Sequence, residues 1–192
     1  MPEPSFMRLP DNLPAPVDDG ACDHLTGMAV PSIPLPATSR GMVDLSKVPG
    51  CAAVFAYPRT GRPGESPLVA DWDNIPGARG CTPQTCGFRD LHREFVALHC
   101  RVYGLSTQTT DFQQEMVTRL HVPFPVLSDA QLELARALRL PTFTAADQVL
   151  LKRLVLVIQD GRISRVFYPV FPPDKSAETV LDWLRHNRQP QG

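Results

Sequence analysis

Two apolar runs of strand length set the frame. Residues 51–57 (CAAVFAY) contain no polar residue, and residues 150–158 (LLKRLVLVI) are broken only by Lys152 and Arg153. A strand without polar alternation has both faces buried, so each run belongs inside a sheet that is covered on both sides. The cover is written between and after them. Residues 83–99 carry Phe88, Leu91, Phe95 and Leu98 at helical spacing. Thr109 or Thr110 caps a second helix with Phe112, Met116 and Leu120 on one face, a short helix spans 129–140 before Pro141, and a last one runs from Asp174 through Val180, Leu181 and Leu184 to Arg185.

Further strands are expected over 100–105 and 123–127, and Asp160-Gly161 is a hairpin signal joining 150–158 to 163–168. Residues 28–35, interrupted by Pro31 and Pro34, read as short extended pieces along a sheet edge, followed by 42–45 and a turn at Pro49-Gly50. The order strand, helix, strand, helix, strand, hairpin, helix is that of a thioredoxin-like α/β sandwich, a central mixed sheet with helices on both faces. At 192 residues and 43% hydrophobic content the chain suits one domain, expected over 25–192. Residues 1–24, with five prolines and little periodicity, read as a mobile or surface-draped extension.

A net charge of -1 carries no nucleic-acid footprint. No apolar stretch approaches the roughly 20 residues that span a bilayer, and residues 1–20 lack the apolar centre of a secretory signal, so a cytoplasmic protein is expected. Five cysteines, an odd number, argue against a secreted disulfide scaffold. Cys22, Cys51 and Cys100 read as small buried apolar residues. Only Cys81 and Cys86 have a chemical context.

That context is Gly80-Cys81-Thr82-Pro83-Gln84-Thr85-Cys86-Gly87-Phe88-Arg89-Asp90. Proline is favoured in the first turn of a helix, so Pro83 puts Cys81 at or just before a helix N-terminus. Unpaired N–H groups and the positive end of the helix dipole favour an anion there, the setting in which cysteines become reactive. Positions five apart in a straight helix are separated by about 7.5 Å along the axis and point about 140° apart, beyond the roughly 7 Å limit for a disulfide. Pairing of Cys81 with Cys86 therefore requires the first turns to unwind.

The same residues resemble the GCTxQxCxxRD signature of peroxiredoxin Q, also called bacterioferritin comigratory protein, and the likeness extends over about residues 25–185. The resemblance implies a thiol peroxidase in which Cys81 attacks a hydroperoxide, Cys86 resolves the resulting sulfenic acid, and thioredoxin or a similar dithiol restores both thiols. It implies no cofactor and a monomer or weak dimer. Peroxiredoxins also carry a proline and a threonine or serine seven and three residues before the attacking cysteine, where this chain has Asn74 and Ala78. Either residues 62–79 are an insertion, with Pro58 and Thr60 in those roles at the end of a buried strand, or the segment is locally shortened, Pro76 is the proline and the hydroxyl is lost.

Breaking an O–O bond needs charge stabilisation beside the thiolate. The family's arginine stands at the start of a strand that ends in Asp-Gly, and Arg153 matches it. Arg79, two residues before Cys81, can act on the sulfur through proximity or be a solvated loop charge. His24, His92, His99, His121 and His186 form no HExxH pairing, and a zinc site from Cys81, Cys86, His99 and Cys100 lacks the usual knuckle, so no metal is expected. The alternative function on the same fold is thiol–disulfide exchange or redox sensing without peroxide chemistry, which the long 62–79 segment and Ala78 keep open.

Overall fold

The computed structural model describes residues 8–187. In chain order its elements are β1 (Pro34–Pro36), β2 (Met42–Asp44), β3 (Cys51–Ala56), α1 (Cys81–Asp90), α2 (His92–Ala97), β4 (Cys100–Ser106) and α3 (Thr110–Leu120). There follow β5 (Val126–Ser128), α4 (Glu133–Leu138), β6 (Thr142–Ala145), β7 (Gln148–Leu151), β8 (Leu154–Gln159), β9 (Arg162–Phe167) and α5 (Ser176–Asn187). The central sheet has the order β5-β4-β3-β8-β9. β3, β4 and β5 are parallel, and β8 and β9 run antiparallel to their neighbours.

Strand alternation divides the core in two. Ala52, Val54 and Ala56 of β3 face one layer, built from α4 (Leu134, Leu138) and the stretch that contributes Leu25, Val30, Leu35 and Leu45. Ala53, Phe55 and Tyr57 face the other, where Phe88, Phe95, Met116, Val180 and Leu181 come from the remaining helices. Each fully buried Leu or Phe contributes about 1.5–3 kcal/mol. Phe55 stacks on Phe88 with centroids 4.4 Å apart. The space for its ring comes from Gly104 on β4, where a Cβ would lie 3.2 Å from Phe55 Cζ.

The α/β sandwich is as expected, but four elements differ. The helix expected over 83–99 breaks at Leu91 (φ -97°, ψ 10°) into α1 and α2. The break brings the Phe88 and Phe95 rings to 5.5 Å, whereas seven residues of unbroken helix rise by about 10 Å. The helix expected over 129–140 is shortened to α4, because Asp129 leaves the helix and its carboxylate accepts from the N–H groups of Leu134 and Ala135. The run 150–158 is two strands: β7 pairs with β6 in a separate hairpin and β8 with β3, the change falling at Lys152-Arg153. The β6–β7 hairpin itself is unannounced in sequence, since its two turn residues are Ala146 (φ 46°) and Asp147 (φ 60°) without a glycine.

Residues 62–79 are anchored on that hairpin. Trp72, Ala78, Ala145 and Leu150 form a small separate core, with Leu68, Val69, Ile75 and Phe143 packed against it. Of the extension expected over 1–24, residues 1–7 lie outside the described residues. Further along, the Asp19 carboxylate accepts from Lys152 Nζ at 2.9 Å and Tyr168 Oη at 2.8 Å, and Cys22 is buried.

Cys51 and Cys100 are a correction. They are not separate thiols: the parallel β3–β4 register sets them opposite each other, their Cα atoms are 4.5 Å apart and their sulfurs are bonded. The free cysteines among the described residues are Cys22, Cys81 and Cys86.

Candidate active site

Gly80 opens the site. Its φ of 107° suits glycine, and a Cβ there would overlap Pro173 and stand 2.9 Å from Leu9 Cδ2. α1 begins at the next residue, so Cys81 occupies the first helical position, 4% exposed. Arg153 faces it from the break between β7 and β8. Its Nη2 lies 3.2 Å from Cys81 Sγ and donates to the carbonyls of Gly77, Ala78 and Arg79, each at 3.2 Å. Nη1 donates to Gln84 Oε1 at 2.5 Å. The chain leading into Cys81 is thus wrapped around one guanidinium.

Arg153 is 3% exposed, and none of these partners is a carboxylate. An isolated buried cation is costly. The contact sets the Cys81 sulfur, which also lies 3.7 Å from the Ala78 carbonyl oxygen, against a buried cation. Gln84, fully buried, fixes the guanidinium and is itself held through Nε2 on Ser176 Oγ at 3.3 Å. Thr85 Oγ1 donates to the Cys81 carbonyl at 2.8 Å.

Cys81 opens on a cavity of about 300 Å³ lined by Thr60, Trp72, Asp73, Asn74, Ala78 and Arg79 among others. Residues 62–79 therefore wall the site. Thr60 reaches this cavity, but its Oγ1 is engaged by Gln108 Oε1 at 3.2 Å and its N–H by the same oxygen at 3.0 Å. Pro58 is buried and does not line the cavity. Pro76 lines a second cavity, on which Arg153 also borders. Arg79 lines the Cys81 cavity and pairs with Asp73 at 3.2 Å.

Cys86 lies further along the same unbroken helix, free and 9% exposed. Burial pushes its thiol up from the ordinary value, with Arg89 pulling the other way. Cys51 and Cys100 sit at the other end of the sheet. β3 runs from Cys51 to Ala56 before the chain reaches Thr60, about 16 Å of extended strand.

Sequence reasoning gave Gln84 no role, although it lies three residues after Cys81 and so shares its helix face. It also passed over Ser176, the carbonyls of residues 77–79, and Tyr57. The Tyr57 hydroxyl is fully buried; burial pushes its ionisation well above the ordinary phenol value, with Ser106 opposing and the Cys81 charge adding to the rise. No cluster of three metal-ligating side chains occurs among the described residues. No helix among them is long and apolar enough to cross a membrane.

A cysteine at the head of a helix thus stands against a buried arginine on an α/β sandwich of thioredoxin-like architecture. Comparison with known proteins supplies the family. The Redoxin family model matches residues 25–181, and the chain belongs to that family. Peroxiredoxin bcp1 of Schizosaccharomyces pombe is 31% identical over 134 residues, 67% of this chain and 60% of that protein. A chloroplastic peroxiredoxin Q of Populus jackii is 26% identical over 161 residues, 83% of this chain and 67% of that one. Among solved structures, peroxidoxin BcpB of Mycobacterium tuberculosis superposes with a TM-score of 0.70 at 27% identity, covering 86% of this chain and 100% of its own. The resemblance to peroxiredoxin Q read from the cysteine motif is thus matched by relatives and a solved structure of that kind.

Proposed function

We propose that the chain is a two-cysteine thiol peroxidase acting on H2O2 and organic hydroperoxides. The observation that carries this reading is the 3.2 Å contact between Arg153 Nη2 and Cys81 Sγ at the head of α1, opening on a cavity with room for a small hydroperoxide. The Cys81 thiolate attacks the distal oxygen of ROOH. An S–O bond forms, the O–O bond breaks, and RO⁻ leaves and takes a proton as the alcohol, or as water when R is hydrogen. Arg153 is a fixed cation beside both sulfur and reacting oxygen, where charge is spread in the transition state. Cys86 then attacks the sulfenic sulfur, forming the S–S bond with loss of water. Because α1 is intact across both residues, that step requires its first turns to open.

A thioredoxin-type dithiol returns both sulfurs to thiols. The domain is assigned to residues 25–192, with 62–79 as an insertion walling the site, and Thr60 rather than Pro58 contributes to the pocket. The protein acts in the cytoplasm as a monomer or weak dimer, without nucleic acid or a membrane as partner. The alternative, thiol–disulfide exchange without peroxide chemistry, draws on one observation: the Thr60 hydroxyl is engaged by Gln108 and Ala78 supplies none. Stopped-flow mixing of reduced wild-type, Cys81→Ser and Cys86→Ser protein with H2O2, with mass spectrometry of the products, separates the two. Peroxidase chemistry gives fast oxidation that needs Cys81, a Cys81–Cys86 disulfide in wild type, and sulfenic or sulfinic acid in Cys86→Ser. Slow oxidation unaffected by Cys81→Ser would reject it.

A further inference from the structure

We propose that Cys51 and Cys100 are a second redox couple, independent of Cys81 and Cys86, that forms by exchange with a low-molecular-weight disulfide and pins the far end of the sheet. The juxtaposition is built into the fold. β3 and β4 are parallel neighbours, Cys51 is register partner to Cys100, and both side chains enter the core layer under α1 and α2. At a Cα separation of 4.5 Å no backbone rearrangement is needed for bonding. The couple stands at the strand starts, with the length of β3 between it and the Thr60 end.

Exposure assigns the order of events. Cys51 is partly exposed, whereas Cys100 is 2% exposed. The Cys51 thiolate attacks RSSR, giving a mixed disulfide and releasing one RSH. Cys100, already in place, attacks the Cys51 sulfur, forms the intramolecular S–S bond and releases the second RSH. Two protein thiols are oxidised and one small disulfide is reduced to two thiols. A dithiol reverses the sequence, entering at Cys51.

The consequence follows from what the bridge encloses. The 49-residue separation between the two cysteines contains Cys81, Cys86, α1 and α2. Closing that loop removes freedom from the unfolded chain while leaving the head of α1 free to open. The couple therefore stabilises the domain during peroxide turnover and takes no part in the chemistry.

The test uses Cys22→Ser/Cys81→Ser/Cys86→Ser protein, which keeps only this pair, equilibrated in oxidised or reduced glutathione, trapped by alkylation and mapped by mass spectrometry. A Cys51–Cys100 crosslink in oxidised glutathione is expected, with a thermal midpoint raised by about 5–15 °C over the reduced form. The same mapping on wild-type protein serves if the triple variant does not fold. Cys51→Ala in the wild-type background is expected to leave peroxide consumption at Cys81 unchanged. Full alkylation of both thiols after oxidised glutathione, equal thermal midpoints, or a crosslink from either residue to Cys81 or Cys86 would overturn the proposal.

Discussion

Replacing Arg153 by lysine keeps the positive charge and removes the fork, so it isolates what the geometry of the guanidinium contributes. Arg153 meets Gln84 Oε1 through Nη1 and Cys81 Sγ through Nη2, and Nη2 also holds three carbonyls. One ammonium nitrogen cannot occupy both places. If it keeps Gln84, the sulfur and the bound oxygen lose their donor. Removing one donor of this kind from a transition state costs a factor of about 10²–10³, and retention of charge places Arg153→Lys near the lower end, at about 10². Carbonyls left under-satisfied cost about 1–3 kcal/mol of stability, against the usual margin of about 5–15 kcal/mol, so the variant remains folded and can be assayed. The assay is the second-order rate constant for Cys81 oxidation by H2O2, with a thermal melt on the same sample as the control for folding. A folded Arg153→Lys protein within about twofold of wild type would refute the argument, since a loss of about 10² corresponds to about 2.7 kcal/mol. Gln84→Leu keeps the arginine but frees Nη1, and is expected to slow oxidation by about 3–10-fold through loss of one hydrogen bond.

Gly80→Ala combines a positive φ with overlap on Pro173 and a 2.9 Å approach to Leu9 Cδ2; a loss of about 2–3 kcal/mol in denaturant unfolding is expected, and an unchanged midpoint would show that the turn is looser than its contacts imply. Phe88→Ala empties the stack on Phe55 and Phe95 and should cost about 3–5 kcal/mol, read from the same titration. Asp19 is held at about 2 by hydrogen bonds from Lys152 and then Tyr168. An acid depressed on folding contributes stability above its unfolded value of 3.8 and loses it as the pH falls through about 2. Protection of the amides of residues 18–25, measured against their intrinsic exchange rates, should therefore fall in that acid window, and Asp19→Asn should show the reduced protection already at neutral pH; identical protection in wild type and variant would remove Asp19 as an anchor.

The layers of the fold were legible because they rest on local pattern. An apolar run such as 51–57 forces burial on both faces, and Asp160-Gly161 supplies a hairpin whose residues take φ values of 47° and 75°. What escaped depends on distant partners. No spacing rule in residues 83–99 says that Phe88 and Phe95 meet best across a break at Leu91. The β6–β7 turn escaped because Ala146 and Asp147 adopt left-handed conformations that the hairpin holds and the residue types do not advertise. The bond between Cys51 and Cys100 is a matter of parallel register, and register between strands 49 residues apart in sequence is fixed by tertiary packing.

The run 150–158 joins the two kinds of legibility. By pattern alone, Lys152 and Arg153 are charges inside one strand and the apolar residues around them form one continuous run. A continuous strand would have left Arg153 as one more position in the central ladder, with its guanidinium desolvated and without acceptors. The chain instead passes from the β6 hairpin to the β3 ladder at that point, and the break turns Arg153 onto the carbonyls of Gly77, Ala78 and Arg79 and onto Cys81. The charges thus fall where the run divides, and the division is what places a cation at the head of α1. A residue that violates its local pattern marks a place where tertiary structure outweighs propensity, and here that place is the site. The same reading accounts for Gln84: a fully buried amide near the head of a helix is tolerated because Arg153 and Ser176 satisfy it from two other elements.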